Sequence, residues 1–158
     1  MSSPPDPQLL ADACDDLLAA VAAALSSFGL GAPSRQFVSH GPPAWDLCET
    51  DQLTVHLAST IVRQDAGRIV RGQAQLVAAL HAQLVRCHPA LTDAGPPTVA
   101  AMDTAAHGLL VDLAAVEGGV IADPPFADCW SVQWGTAVPL GPQGAVAGWD
   151  WTVTLTLG

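Results

Sequence analysis

The chain closes with GWDWTVTLTLG, in which Trp149, Trp151, Val153, Leu155 and Leu157 alternate with Thr152, Thr154 and Thr156. Side chains of an extended strand point to opposite faces in turn, so this period of two predicts a strand with one apolar and one polar face. The apolar face needs a cover, and two segments have the helical period to supply it. Asp6 and Pro7 form a helix cap and first position, and Leu10, Cys14, Leu17, Val21, Ala24 and Phe28 follow at spacings of three to four, with Gly29 and Gly31 as the stop. Thr98 caps a second helix whose stripe is Val99, Met102, Ala106, Leu109, Leu113 and Val116, ending at Gly118 and Gly119.

SRQFVSHG and DQLTVHLASTIVR are rich in β-branched residues and read as a long-looped hairpin around PPAWDLCET. DAGRIVRG reads as an exposed, mobile connection that gathers Arg68 and Arg71 near Arg63. Residues 73–85 are ambiguous: Leu76, Leu80 and Leu84 fit a helix, whereas HAQLVRC also serves as a buried strand. After the ADPPFAD loop, Trp130, Val132 and Trp134 alternate in a strand, and GPQG turns the chain into the last one. The order of helix, strands, helix, strands predicts a single α+β domain over residues 1–158, a mainly antiparallel sheet packed against two amphipathic helices.

Charge narrows the function classes. The formal net charge is −10, there is no lysine, and the five basic residues are all arginine, so the basic stripe that displaces counterions from nucleic acid is missing. No apolar run of membrane length is free of charge, and MSSPPDPQLL lacks the basic start and apolar core of a secretory signal, which leads us to expect a soluble protein made and kept inside the cell. The four cysteines, at 14, 48, 87 and 129, stand singly, and we expect no disulfide framework.

No constellation of reactive residues stands out. Cys87 and His88 could seed a zinc site completed by Cys48, Glu49 and Asp51, but zinc ligands usually come as closely spaced pairs and only this adjacent pair exists. Ser39 and His40 are neighbours on a β segment, so they face opposite ways and cannot form a dyad. His56, His81 and His107 read as solvated residues, Cys14 as part of the first helix's core stripe, and Cys129 as the start of a strand. Phosphate-binding glycine loops are absent. We therefore expect no enzyme activity, no cofactor and no metal, with a small metal-dependent enzyme as the alternative of a different class.

The leading helix, FVSHGPPAWDLCETDQLTVHLA, the LVRCHPAL…GPPT junction with Arg86, Cys87 and Pro89, and the closing CWSVQWGTAVPLGPQGAVAGWDWTVTLTLG together resemble the tail terminator proteins of long-tailed actinobacterial bacteriophages. The resemblance covers nearly the whole chain through soft patterns of strands and loops. It implies a structural virion protein: a hexameric ring that caps the tail tube, stops its polymerisation and joins it to the head-side connector or stopper. Its expected place is the neck of the virion tail, after assembly in the host cytoplasm. Other neck proteins share the fold and are the nearest rival. The resemblance also favours a strand at residues 81–87.

For a ring subunit, an alternating strand at the chain end is an expected sheet edge, with Trp149 and Trp151 on the helices and the backbone edge or the face of Thr152, Thr154 and Thr156 left for a neighbour. The other possibility is that this strand is central in its own sheet. A ring that passes DNA without binding it is expected to carry acids in its lumen. Asp46, Glu49 and Asp51 of the loop are candidates for that wall, while Asp12, Asp15 and Asp16 of the first helix read as a solubilising surface.

Overall fold

The computed structural model describes residues 6–43, 49–63 and 75–157. Helix α1 spans Pro7–Phe28, and the Asp6 carboxylate accepts from the Gln8 N–H at 2.9 Å, satisfying one of the donors a helix start leaves free. Helix α2 spans Val99–Val116, and the Thr98 hydroxyl accepts from the Ala101 N–H at 3.1 Å. Rather than stopping at its two glycines, α2 continues into a π-helical turn over Glu117–Ile121. The strands are β1 Arg35–Ser39, β2 Gln52–Arg63, β3 Gln75–Cys87, β4 Cys129–Trp134, β5 Val138–Gln143 and β6 Val146–Leu157. They make one mostly antiparallel sheet, and with the two helices the class is α+β.

Three long strands, β2, β3 and β6, run the height of the sheet, and three short ones flank them at two levels. On the lower level β1 pairs with Gln52–His56 of β2, and β5 pairs with the first half of β6. On the upper level β4 pairs with Val153–Leu157 of β6. Among the described residues nothing pairs with the outer side of β2 above His56.

Both helices lie on one face of this sheet. Leu17, Val21 and Leu25 of α1 enter a core with Leu53 and Val55 of β2, Leu80, Ala82 and Leu84 of β3, and Trp151, Val153, Leu155 and Leu157 of β6. Gly148 lets β6 approach β3 closely: a Cβ there would lie 1.7 Å from the Leu84 carbonyl oxygen.

Four expectations change. The terminal strand is not an edge. β6 is hydrogen-bonded to β3 on one side and to β4 and β5 on the other, so its backbone is spent within the domain. Alternation marks one covered face and is the same for central and edge strands. Second, β1 and β2 are parallel neighbours and not a hairpin. Third, all of Gln75–Cys87 is strand; the spacing of Leu76, Leu80 and Leu84 is even, so it lies on one face of a strand as well as of a helix. Fourth, the buried face of α2 is Gly108, Asp112, Ala115 and Val116, while Val99 of the expected stripe is 79% exposed.

Candidate functional site

Two polar clusters and one apolar surface stand out, and their geometry decides what each can do. The first cluster centres on Arg86, at the end of β3. Its guanidinium donates from Nε to Asp112 Oδ2 at 2.9 Å, from Nη2 to Asp112 Oδ1 at 3.0 Å, from Nη1 to Asp51 Oδ2 at 2.9 Å and from Nη2 to the Gly31 carbonyl at 2.7 Å. Asp112, wholly buried on α2, also accepts the Leu30 N–H at 2.9 Å, and Asp51 accepts the Cys87 N–H at 2.9 Å. Gly31 is positioned by a positive φ of 98° that glycine adopts without strain. Burial alone would favour loss of the Arg86 proton, but the hydrogen bonds to Asp112 and Asp51 and their charges outweigh it, so its pKa stands above the ordinary value. The two carboxylates and the guanidinium are engaged with one another and with backbone, so the cluster ties the end of α1, α2 and the ends of β2 and β3 together and offers no free reactive atom.

This arrangement bears on the acidic loop. Of the acids expected to line a lumen, Asp51 accepts hydrogen bonds from the Arg86 guanidinium and the Cys87 N–H. Glu49 is exposed, and Asp46 lies outside the described residues. Asp12, Asp15 and Asp16 face solvent on α1. Cys48, Arg68, Arg71 and the rest of DAGRIVRG are also outside the described residues.

Cysteine chemistry also differs from expectation. Cys87 is disulfide-bonded. Cys14 and Cys129 are free, and burial, reinforced by nearby acids, pushes both thiols above their ordinary pKa, away from the reactive thiolate. Antiparallel pairing returns the end of β3 to the start of β2, where the Cys87 N–H donates to the Asp51 carboxylate. Among the described residues no group of three or more His, Cys, Asp and Glu side chains is arranged to hold a metal.

The second cluster lies on the sheet face away from the helices. His81 Nδ1 is 2.7 Å from Asp150 Oδ1, Gln83 Nε2 donates to Asp150 Oδ2 at 3.1 Å, and the His56 ring stacks on His81 with centroids 5.2 Å apart. His56 is not the solvated residue its sequence context suggests: it is 2% exposed. A His–Asp pair invites a catalytic reading, but a nucleophile must be hydrogen-bonded to its base. Ser39, in register with His56, instead donates its hydroxyl to the Gly41 carbonyl. His40 is exposed, and His107 is exposed on α2.

Burial, and secondarily the neighbouring His81, lower the His56 pKa from its ordinary value, with Asp150 opposing. A depressed histidine leaves stability untouched above pH about 6.5 and removes it as pH falls below that, because the unfolded chain then binds a proton the folded one refuses. Thermal melts from pH 7.5 to 5 should therefore show stability falling below pH about 6.5, and His56→Gln should flatten that part of the profile. An unchanged slope in the variant would show that another group carries it.

The apolar surface is the outer side of α2. The helix with its π-helical turn, Val99–Ile121, is long and apolar enough by composition to cross a membrane, and less than a quarter of its most apolar stretch is buried. From Thr104 to Ala114 its exposed residues are Thr104, Ala106, His107, Leu110, Val111 and Ala114, with no formally charged side chain. Beside it, Phe28, Val111, Ala114, Ala115, Gly118 and Gly119 line a shallow groove of ≈ 420 Å³ without a titratable side chain.

The face of Thr152, Thr154 and Thr156 is half-buried, with the Ser131 hydroxyl donating to Thr156 Oγ1 at 3.0 Å. Trp151 is buried in the core, and Trp149, half-buried, donates its indole N–H to the Leu109 carbonyl at 2.7 Å, joining β6 to α2. The residues singled out on the last strand are thus part of the domain's own packing. Asp112 was missed from sequence, although a lone acid inside GLLVDLAAV is the signal that marks it. The chain matches no family model, and no curated protein matches it.

Proposed function

We propose that this protein is a structural virion component of the tail-terminator type: a subunit of a hexameric ring in the neck of a long-tailed phage, assembled in the host cytoplasm. The ring caps the tail tube, stops its growth and meets the head-side connector, and DNA passes through it without being held. The observation that carries the assembly reading is the outer face of α2. A chain of net charge −10 keeps an uncharged apolar helix face in solvent, and such faces mark protein contacts, since they cost solubility and do nothing for the fold. The phage assignment itself rests on the sequence resemblance.

A neighbouring neck protein is the closest rival, and partner choice separates them. The purified chain mixed with tail tubes should give a six-fold ring at the tube's head-proximal end in negative-stain images, and tubes assembled without it should run past their normal length. Tubes of normal length without the chain, and bare ends in its presence, would overturn the terminator reading.

A further inference from the structure

We propose that copies of this chain join head to tail through the sheet, the outer edge of β2 from Leu57 to Arg63 in one copy pairing antiparallel with the outer edge of β4 in the next. The proposal rests on the assembly reading above and names the contact that would build the ring. Its starting point is the two-level sheet. On the upper level the strand order is β2, β3, β6, β4, and among the described residues both outer edges are open.

The two edges match in height, direction and charge. Following the pairings across the sheet, Ile61 lies in one row with Val77, Thr156 and Ser131, Thr60 with Ala78, Leu155 and Val132, and Ser59 with Ala79, Thr154 and Gln133. A second copy placed beside the first therefore sets Ser131–Gln133 against Ile61–Ser59 at the same level. β2 and β4 run antiparallel, since each alternation from β2 to β3, β6 and β4 reverses direction. The same alignment brings Arg63, at the top of β2, beside Asp128, which precedes β4. Both are exposed, and among the described residues neither is in an ion pair.

Exposed apolar residues flank both edges. Ile61 and Val62 are each 58% exposed and Trp130 is 56% exposed. Each edge also has a bulge, between Leu57 and Ser59 and between Cys129 and Ser131, and both fall outside the three matched rows. The lower level is protected in the way edges usually are: β5 carries Pro139 and Pro142, which have no N–H to donate. Because the two edges differ, the contact is heterologous, and the twist between neighbouring strands gives it the rotation by which a ring closes.

Charge exchange and cross-linking test it. Arg63→Asp and Asp128→Arg should each raise the concentration needed for assembly on the order of tenfold, and the double exchange should restore it, since an attractive pair becomes repulsive and then attractive again. Both positions are exposed, so circular dichroism and melting should show unchanged folding. Ile61→Cys with Ser131→Cys, in a Cys129→Ser background, should give a ladder of covalent oligomers on oxidation, because facing strand residues bring their Cβ atoms about 4.5–5.5 Å apart. Rings that form normally with either charge reversal and give no ladder would overturn this contact and leave the ring reading standing. A wild-type chain that neither assembles nor cross-links, alone or on tubes, would overturn both. A ladder with bare tube ends would support the contact and remove the terminator function.

Discussion

A chain ending at Gly148 is expected not to fold. The deletion removes the strand that holds β3 on one side and β4 and β5 on the other, so the sheet loses its middle. It also strips Trp151, Val153, Leu155 and Leu157 from the core, each at most 1% exposed. Burying such side chains contributes about 1.5–3 kcal/mol each, and their sum of roughly 6–12 kcal/mol rivals the whole stability of a domain. The truncated chain should show no cooperative melt and no near-ultraviolet dichroism from ordered tryptophan. A sharp melt close to that of the full chain would mean that β6 is dispensable and the sheet self-sufficient without it.

Asp112→Ala should be the most damaging single substitution in the polar part of the molecule. It removes the carboxylate partner of Arg86 Nε and one of the two partners of Nη2, frees the Leu30 N–H and leaves a buried guanidinium facing a cavity. Breaking a buried pair by taking one partner costs about 3–5 kcal/mol. For a chain of this size that is a fall in melting temperature of roughly 6–20 °C. Replacing both members, Arg86→Met with Asp112→Leu, should cost less than Asp112→Ala alone, because the charge then left without its partner is Asp51, which is 34% exposed and can be solvated, and not a buried guanidinium. If the double variant is the less stable of the two, the cluster contributes more than mutual neutralisation. A melting point for Asp112→Ala within about 2 °C of wild type would remove the cluster from the list of what holds the two helices to the sheet.

The Arg86 cluster also shows what local sequence hides about one acidic residue and one cysteine. Asp51 sits in a run of acids with Asp46 and Glu49, and nothing local distinguishes it from them. Its partners, Arg86 and the Cys87 N–H, arrive from β3 through antiparallel pairing. The same return brings the disulfide-bonded Cys87 to the start of β2, against a sequence in which no two cysteines stand close together. His56 is a third case. Its neighbours on β2 alternate as a half-buried strand should, yet both faces of the strand are buried at that level.

What the sequence determined by itself was local: the starts of α1 and α2, where Asp6, Pro7 and Thr98 meet the free N–H groups of a helix, and the strand character of β4 and β6, where side chains repeat with period two. These follow from interactions within a few residues, and so does the α+β class that their order implies. The place of each strand in the sheet was decided only by the tertiary structure. Alternation in β6 reports that one face is covered and is silent about what lies at its two edges. The even leucine spacing of β3 satisfies helix and strand alike until a partner strand supplies hydrogen bonds. Arg86 and Asp112 are 26 residues apart, and their attraction exists only after packing has excluded water from between α2 and the sheet. Which edges remain open, and so where another copy could pair, is likewise a property of the assembled sheet, because an edge is defined by the strands that are not beside it.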